Sequence, residues 1–578
     1  MQKTDVLIIG SEGAGARAAI QAHDRGAKVL IVTKGRMARS GATITAGMDI
    51  DMDSRSAKEL LGLAGNPEDS PEIFFEDMVV EGKFVNNQKI VEVHVRDAPR
   101  RIKEVVDWGM KVVGFLHGPG HRYPRGVYSS GGELMKALKS QVDARNIEVM
   151  EDAMVLELLK RDGRVNGVLC LDLRKGEFFT LGAKTVILAT GGGMRVFPVT
   201  TAPEELTGDG QAMAWRAGAD LVDMEMVQFL PCCFITPPAW SGITFPFFMG
   251  PGVGGVDAWL LNKFGNRFMK QWDPERMERT TRDVLSIGVM NEVVEGRGSP
   301  AGGVFYSIKH LPDNLIDYFP IWRNEPYLTP EWEFKGFKLK GLMEEMKRGY
   351  ASEVGPACHF FMGGIRINEY CQTTVPGLYA SGEVAGGTHG GNRLTGNACT
   401  QILVQGYWAG EKAAVEAREI PGSEIDQDQA RVLEKEFLRP LENREGPSGF
   451  SMRKNIQTLA WEKVGVLRSG ELLNDALKTI DSMKAEASQI AVKAKERQYN
   501  KEWIETLQVR NLLTLLEAIC RSALAREDSR GAHYRRDFPR LDNEKWLKNV
   551  VIKNVQGKMQ TETVPIVMTS YDPRRRGQ

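Results

Sequence analysis

The chain has 578 residues, 75 Lys plus Arg against 75 Asp plus Glu, and a hydrophobic fraction of 42%, so about two to four domains are expected and no net field draws it to nucleic acid or an anionic membrane. Its seven cysteines, Cys170, Cys232, Cys233, Cys358, Cys371, Cys399 and Cys520, include no C-x-x-C pair, which excludes a cysteine-ligated cluster or structural zinc within the chain. With no charged leader before the first strand and no apolar run of about 18 residues, a cytoplasmic, soluble polypeptide is expected.

Residues 5–9, DVLII, read as a strand ending at Gly10. GSEGAGARAAIQAHDRG then has helical spacing, and AKVLIVTK returns to strand character. This is a β-α-β unit of the dinucleotide-binding type, in which Gly10, Gly13 and Gly15 permit a tight turn and a helix start facing a diphosphate. Glu12 stands where the usual fingerprint has its second glycine, and since a diphosphate repels it, its side chain is expected to turn away.

Residues 147–190 read as alternating strands with a turn at Asp162-Gly163 and end in TVILATGGG (185–193), a second glycine-rich strand end. TGDGQAMAWRAGA (207–219) sets Asp209 on a glycine turn before a helix, suited to a sugar hydroxyl. From 236 to 350, proline, aromatic and charged segments without strand alternation suggest an inserted cap. GLYASGEVAGG (377–387) repeats the strand-then-glycine pattern with Glu383 beside it. HGGNRLTGNACTQ (389–401) follows, where Arg393 would meet an anion and Asn397 can cap the next helix.

After residue 430 the pattern turns helical. ELLNDALKTIDSM (471–483) carries Leu472, Leu473, Ala476, Leu477 and Ile480 on one face, and LLTLLEAICRSALA (512–525) does likewise, as a helix-bundle core requires. The expected fold class is α/β: a Rossmann-like dinucleotide-binding domain (1–235 and 351–425) interrupted by a capping domain (236–350), then a C-terminal helical domain and tail (426–578).

The segments IIGSEGAGARAA, TGDGQAMAWRAGADLVDMEMVQF, LLNKFGNRFM, TRDV, HFFMGGIRIN, GLYASGEVAGGTHGGNRLTGNA and SRGAHYRRDFP (529–539) occur in this order. The chain thereby resembles the flavoprotein subunit of the succinate dehydrogenase and fumarate reductase family, which includes L-aspartate oxidase. The resemblance implies FAD held by Gly10, Gly13, Ala14, Gly15, Thr33, Lys34, Ser40, Gly41, Ala42, Gly47, Thr190, Gly191, Gly192, Asp209, Glu383, Asn397 and Ala398. It implies Arg282 of TRDV as proton donor or acceptor, and His359 and Arg393 as ligands of a substrate carboxylate. Such chemistry suits fixed cations in a dry pocket, since hydride transfer beside a carbonyl or carboxylate builds negative charge on its oxygen. Residue by residue, the alternatives are a salt bridge from Arg282 to Asp283 or a nearby glutamate, a hydrogen-bonded core histidine at His359, and at His389 either a packing role or substrate contact.

Three departures bear on substrate. Membrane-bound members of the family carry a histidine that bonds FAD covalently where this chain has Gly41, so noncovalent FAD is expected. The family's Phe-His-Pro-Thr reads Phe229-Leu230-Pro231-Cys232, which removes two ligands of the second carboxylate and puts Leu230 and Cys232 in the expected substrate pocket. The family's proton-relay glutamate and arginine are missing from GPGVGGVDAWLLN (250–262), leaving His121, Asp257 or water.

The sequence thus points to an FAD oxidoreductase acting on a CH–CH or C=C bond beside a carboxylate or acyl thioester carbonyl, with a substrate other than plain fumarate. An authentic fumarate reductase or succinate dehydrogenase subunit, an adenylylsulfate reductase alpha-like flavoenzyme, and a non-catalytic electron-transfer subunit are the other candidates. An iron-sulfur subunit or another electron carrier is the expected partner, and any membrane association would be indirect, on the inner face, through partner subunits.

Overall fold

The computed structural model describes residues 2–244, 257–316, 333–334, 337–422 and 424–575. Val6, Leu7 and Ile8 of strand Gln2–Ile9 are completely buried, as a parallel strand covered on both faces requires. That strand pairs in parallel with Val29–Val32 on one edge and with Glu177–Leu188 on the other, and Glu148–Met150 extends the sheet beyond Val29–Val32. The strand Glu177–Leu188 forks. Its first half lies antiparallel to Arg164–Asp172, and its second half lies parallel to Leu378–Ala380, so the chain rejoins this sheet after leaving it for the cap. Ala153–Arg161 completes the seven-stranded sheet through a hairpin turn at Asp162 and Gly163, both at positive φ, as an Asp-Gly pair favours.

Helix Gly13–Asp24 packs against both this sheet and helix Asn397–Glu419, which also reaches the sheet. Two glycines permit the approach: a Cβ on Gly15 would lie 1.9 Å from the Gly10 carbonyl oxygen, and one on Gly410 would lie 2.2 Å from that of Ala18.

The cap is built on an antiparallel sheet ordered Val227–Phe234, Ser352–Phe361, Val304–Ser307, Trp259–Leu261. It encloses its own apolar cluster, including Cys232, Phe234, Leu260, Leu285 and Tyr306. Two register irregularities interrupt the first pair. Gln228 faces Phe360 and Phe229 faces Cys358, so His359 is the extra residue of a bulge; a second shift falls between Leu230 and Cys233.

Helices Gln427–Glu442, Gly449–Leu459, Gly470–Ala487 and Lys501–Ala525 follow. Leu473, Ala476 and Ile480 face inward as their spacing predicts, and Leu512, Leu516 and Ile519 line the buried side of the last helix. The C-terminal segment is not helical to its end. The strands Lys548–Val555 and Lys558–Pro565 form a hairpin turning at Gln556-Gly557, and the first of them pairs with Leu221–Val222.

Between these helices and that hairpin lies SRGAHYRRDFP. Arg526, just before it, is fully buried and pairs with Glu225 at 2.5 Å and Asp223 at 3.3 Å, while Arg530 pairs with Asp528 at 2.6 Å. The segment buttresses the glycine loop: Ala532 N–H donates to the Gly391 carbonyl at 2.9 Å, and Gly531 holds φ +55° with room for no side chain, since a Cβ would lie 2.1 Å from the Gly391 oxygen. Gly531→Ala is therefore expected to destabilise the chain by about 1–3 kcal/mol, read as a lowered urea midpoint with unchanged slope.

Candidate active site

A cavity of about 480 Å³ opens at the C-terminal ends of strands Gln2–Ile9, Val29–Val32 and Glu177–Leu188, where ligands of open α/β sheets bind. Of the expected cofactor residues, Gly10, Ala14, Thr33, Lys34, Ser40, Gly41, Ala42, Gly47, Thr190, Gly191, Asp209, Glu383 and Ala398 line it. Lys34 Nζ lies 2.7 Å from Asp209 Oδ2 and Asn511 Nδ2 donates to Asp209 Oδ1 at 2.8 Å, so Asp209 is held rigid and keeps acceptor capacity for a hydroxyl. The wall also carries buried polar atoms without a hydrogen-bond partner among the described residues: Glu12 Oε1, Thr190 Oγ1 and Ser381 Oγ. Orphaned donors and acceptors in a long glycine-rich groove fit a polar, elongated cofactor such as FAD.

Glu12 turns toward the short helix Ala42–Thr45, where its Oε2 accepts from Ile44 N–H at 3.1 Å. Gly41, at φ +89°, makes room for it: a Cβ there would lie 2.4 Å from Glu12 Cγ. Burial pushes the Glu12 carboxyl up to about 7 against the lowering effect of that N–H bond.

The other end of the cavity is cationic. Arg282, His359 and Arg393 all line it. Arg282 is the first residue of helix Arg282–Val294, which packs on strand Val227–Phe234 with Ser286 Oγ donating to the Phe229 carbonyl. Burial and the charge of Arg393 lower its pKa to about 10, opposed by Asp49 and Glu81. Its place at the positive end of a helix dipole acts in the same direction. Its hydrogen bond goes to Gln228 Oε1 at 3.4 Å, and Asp283 instead accepts from Asn392 at 3.1 Å, so an Arg282–Asp283 bridge is not what the structure contains.

The bulge aims His359 into the cavity, with its Nδ1 2.8 Å from Thr201 Oγ1. Burial, Arg393 and Arg282 hold its pKa well below the ordinary histidine range, so the ring is neutral. Arg393 lies over the Phe360 ring at 4.6 Å, with Nε lacking a partner among the described residues. Burial lowers its pKa, against Asp49 and Glu383.

A family model described as FAD binding domain matches residues 5–399, and one described as fumarate reductase flavoprotein C-term matches residues 453–578. The chain belongs to the succinate dehydrogenase and fumarate reductase flavoprotein family. It is an FAD-dependent oxidoreductase. It is 35% identical to a fumarate reductase (CoM/CoB) subunit of Methanothermobacter marburgensis, over 96% of this chain and 97% of that one. Among solved structures, Mycobacterium smegmatis Sdh1 in complex with UQ1 matches with a TM-score of 0.86 and 30% identity, covering 99% of this chain and 96% of that one. Adenylylsulfate reductase of Archaeoglobus fulgidus shares the fold, with a TM-score of 0.77 and 21% identity over 98% of this chain and 97% of that one.

Several residues expected at the family's site do not line the cavity. Gly13, Gly15 and Gly192 act behind the wall, where a Cβ would lie 2.3 Å from Ile402 Cδ1, 1.9 Å from Gly10 O and 2.4 Å from Glu383 Oε1 respectively. Asn397 is not a cap: Gly396 holds that position, while Asn397 donates to Asp51 Oδ2 at 3.0 Å and its Oδ1 lies 2.9 Å from His94 Nε2. Cys232 is turned by the second register shift into the cap's own core, whereas Leu230 lines the cavity. His389 packs edge-on to Phe360 and its Nε2 lies 2.9 Å from Gln401 Oε1, which is a packing role. Asp257 pairs with Arg279, and residues 250–256 of the GPGVGGVDAWLLN departure lie outside the described residues.

Three residues that sequence reasoning did not single out matter here. Gln228 Nε2 donates to Asn392 Oδ1 at 2.8 Å and to the Arg393 carbonyl at 3.2 Å while its Oε1 meets Arg282, so one carboxamide ties both arginines together. Asn392 completes that tie through Asp283 and Glu81. Asp49, on strand Gly47–Asp51, faces the same cavity, and only the D-I-D alternation after the glycine turn hinted at it.

Glu12 becomes charged as pH rises through about 7, beside the ground expected for a diphosphate. FAD affinity of the apoprotein should therefore fall by roughly tenfold between pH 6 and 8.5, and Glu12→Gln should flatten that dependence, both read by fluorescence quenching on FAD titration.

Proposed function

We propose that the chain reduces, or forms, a carbon-carbon double bond beside a carboxylate or thioester carbonyl, on a substrate with one anionic or carbonyl end and an uncharged second end. The supporting observation is the asymmetry of the cavity. Arg282, His359 and Arg393 converge at one end, while Leu116, Tyr128 and Leu230 are among its other walls. Among the described residues, the only other basic side chains lining it are Lys34, committed to Asp209, and His117. A second carboxylate lodged against Leu230 would lose several kcal/mol of hydration without repayment.

Bound along the glycine-rich strand ends, FAD supplies the two-electron hydride exchange. Arg393 presents its guanidinium to the substrate anion, and the unpartnered Nε makes a paired grip available. When the Thr201 hydroxyl donates to His359 Nδ1, the ring proton is on Nε2 and the neutral ring can donate it to the substrate. Both groups stabilise negative charge that grows on the substrate oxygen as the double bond is reduced. Arg282 gives the proton to the neighbouring carbon. Its lowered proton affinity, about 10, makes it a better acid than a solvated arginine. Arg282 must be protonated for reduction, so reduction is expected to fall as pH rises through about 10, and the reverse reaction to gain.

Plain fumarate reduction is the second reading, favoured by the name of the Methanothermobacter relative. The chain's described residues hold no group of His, Cys, Asp and Glu able to bind a metal, and all seven cysteines are free and buried, so we place its electron partner in a separate iron-sulfur subunit or other carrier. No helix among the described residues is long and apolar enough to cross a membrane, and any attachment to the inner face would run through such partners.

Anaerobic addition of fumarate, crotonate and crotonyl-coenzyme A to the photoreduced protein separates the two readings. Faster flavin reoxidation by the monoanionic or thioester enoates supports the first, fumarate alone supports the second, and no reoxidation by any of them sinks both. Arg282→Ala should lower that rate by about a hundredfold or more. Leu230→His should lower the KM for fumarate by roughly tenfold by supplying a carboxylate partner. Acid precipitation should leave FAD in the supernatant, because Gly41 stands where a covalent link would need a histidine.

A further inference from the structure

Strand Gly47–Asp51 sets Asp49 and Asp51 two residues apart, so their side chains leave the same face. Asp51 has two side-chain partners, both on one oxygen, while its Oδ1 is buried with none among the described residues. Its Oδ2 lies 3.2 Å from His121 Nε2 and receives Asn397 Nδ2 at 3.0 Å. Asp49 has no such side-chain donor among the described residues, and it lines the cavity together with Arg282 and Arg393. Two neighbouring carboxylates in a dry interior disfavour each other's ionisation, which raises the proton affinity of Asp49.

We propose that Asp49 holds the proton that returns Arg282 to its charged form after each substrate protonation, directly or through one water in the cavity. The inference rests on the reaction proposed above. In the reducing direction the substrate gains a hydride from the reduced cofactor on one carbon and the Arg282 proton on the other. Neutral Arg282 then takes the proton of Asp49, and the Asp49 carboxylate recovers one from cavity water. Each double bond reduced consumes one solvent proton, and the cavity mouth lined by exposed His117 and Pro119 is its point of entry.

The charged groups acting on Asp49 fit this role, and Tyr128 faces it across the strand pair. Burial and Asp51 raise its pKa to about 6, against His121 from the segment following Leu116 and Arg282 from the cap helix. Arg393 from the glycine loop and Cys399 from the helix behind it feel its charge in turn. An acid near 6 passes its proton downhill to an arginine near 10, and near neutral pH it is readily refilled from water.

The test uses the FAD-loaded protein and compares one turnover with many. With reduced benzyl viologen as donor, and fumarate, crotonate or crotonyl-coenzyme A as acceptor, Asp49→Asn should lower kcat by about a hundredfold while the first reoxidation of prereduced flavin stays within about threefold, because Arg282 starts charged. Asp49→Glu should recover most of the loss. A second readout needs no turnover: propionate, titrated by its effect on flavin absorbance, should bind the wild type progressively more weakly between about pH 5 and 7 and bind Asp49→Asn without that dependence. The proposal is overturned if kcat is unaffected, if the first turnover slows as much as the steady state, or if the propionate profile is the same in both proteins. If none of the three acceptors reoxidises the wild type, the proposed reaction fails, and the propionate profile still decides whether Asp49 carries the titrating proton.

Discussion

Two arginines and a neutral histidine converge on one end of a cavity, and the repulsion between Arg282 and Arg393 is the constraint around which the rest of the structure is arranged. Burial lowers the proton affinity of Arg282, His359 and Arg393 alike, and neighbouring cations lower it further for Arg282 and His359. The cluster feels the attraction of Asp49, Glu81 and Glu383 only across space, and among the described residues no carboxylate is bonded to either arginine. It is held by neutral hydrogen bonds and by backbone. Gly391 donates to the Gly82 carbonyl at 2.8 Å and accepts from Ala532, Asn86 Nδ2 donates to Thr388 O at 2.8 Å, and Gln228 spans from Arg282 to the Arg393 carbonyl. Neutral fastening leaves the positive potential of the site unspent until an anion enters.

This arrangement explains why segments remote in sequence share one task. The glycine loop is positioned by the turn after Glu81, by the SRGAHYRRDFP segment, and by the cap strand carrying Gln228. The C-terminal segment is in turn pinned by Arg526 to Asp223 and Glu225, which lie just before that strand. A partnered arginine buried with two carboxylates adds little net stability, yet removing it would strand two charges, so such a tie specifies geometry more than it strengthens the fold.

Much of this was legible in the residues. The β-α-β entry, the Asp162-Gly163 hairpin, the glycine-rich strand ends and the helical stripes after 430 follow from local patterning, and each appears where its spacing predicts. What was not legible depended on register. Leu230 and Cys232 look equivalent on an alternating strand, but an irregularity after Leu230 sends Cys232 into the cap's own core. The bulge that aims His359 is equally invisible, because it exists only relative to the partner strand. Asn397 has the chemistry of a cap and spends it on Asp51 and His94, a contact no local rule anticipates. The C-terminal hairpin was hidden in a stretch read as tail, since two short alternating strands carry a weak signal beside long helices.

The forked strand Glu177–Leu188 has a consequence for biosynthesis. Its first half can pair with Arg164–Asp172 as soon as both have left the ribosome, but its second half waits for Leu378–Ala380. Until then the sheet edge beneath Thr190 and Gly191 is open and the wall carrying Glu383 and Arg393 does not exist. The nascent chain therefore passes through a long interval with an unpaired parallel edge, during which the cap, whose first and last strands are both made before Leu378, has time to fold on its own. Cofactor capture becomes a late event in synthesis, and an arrested or truncated chain would expose that edge to aggregation with no flavin to protect it.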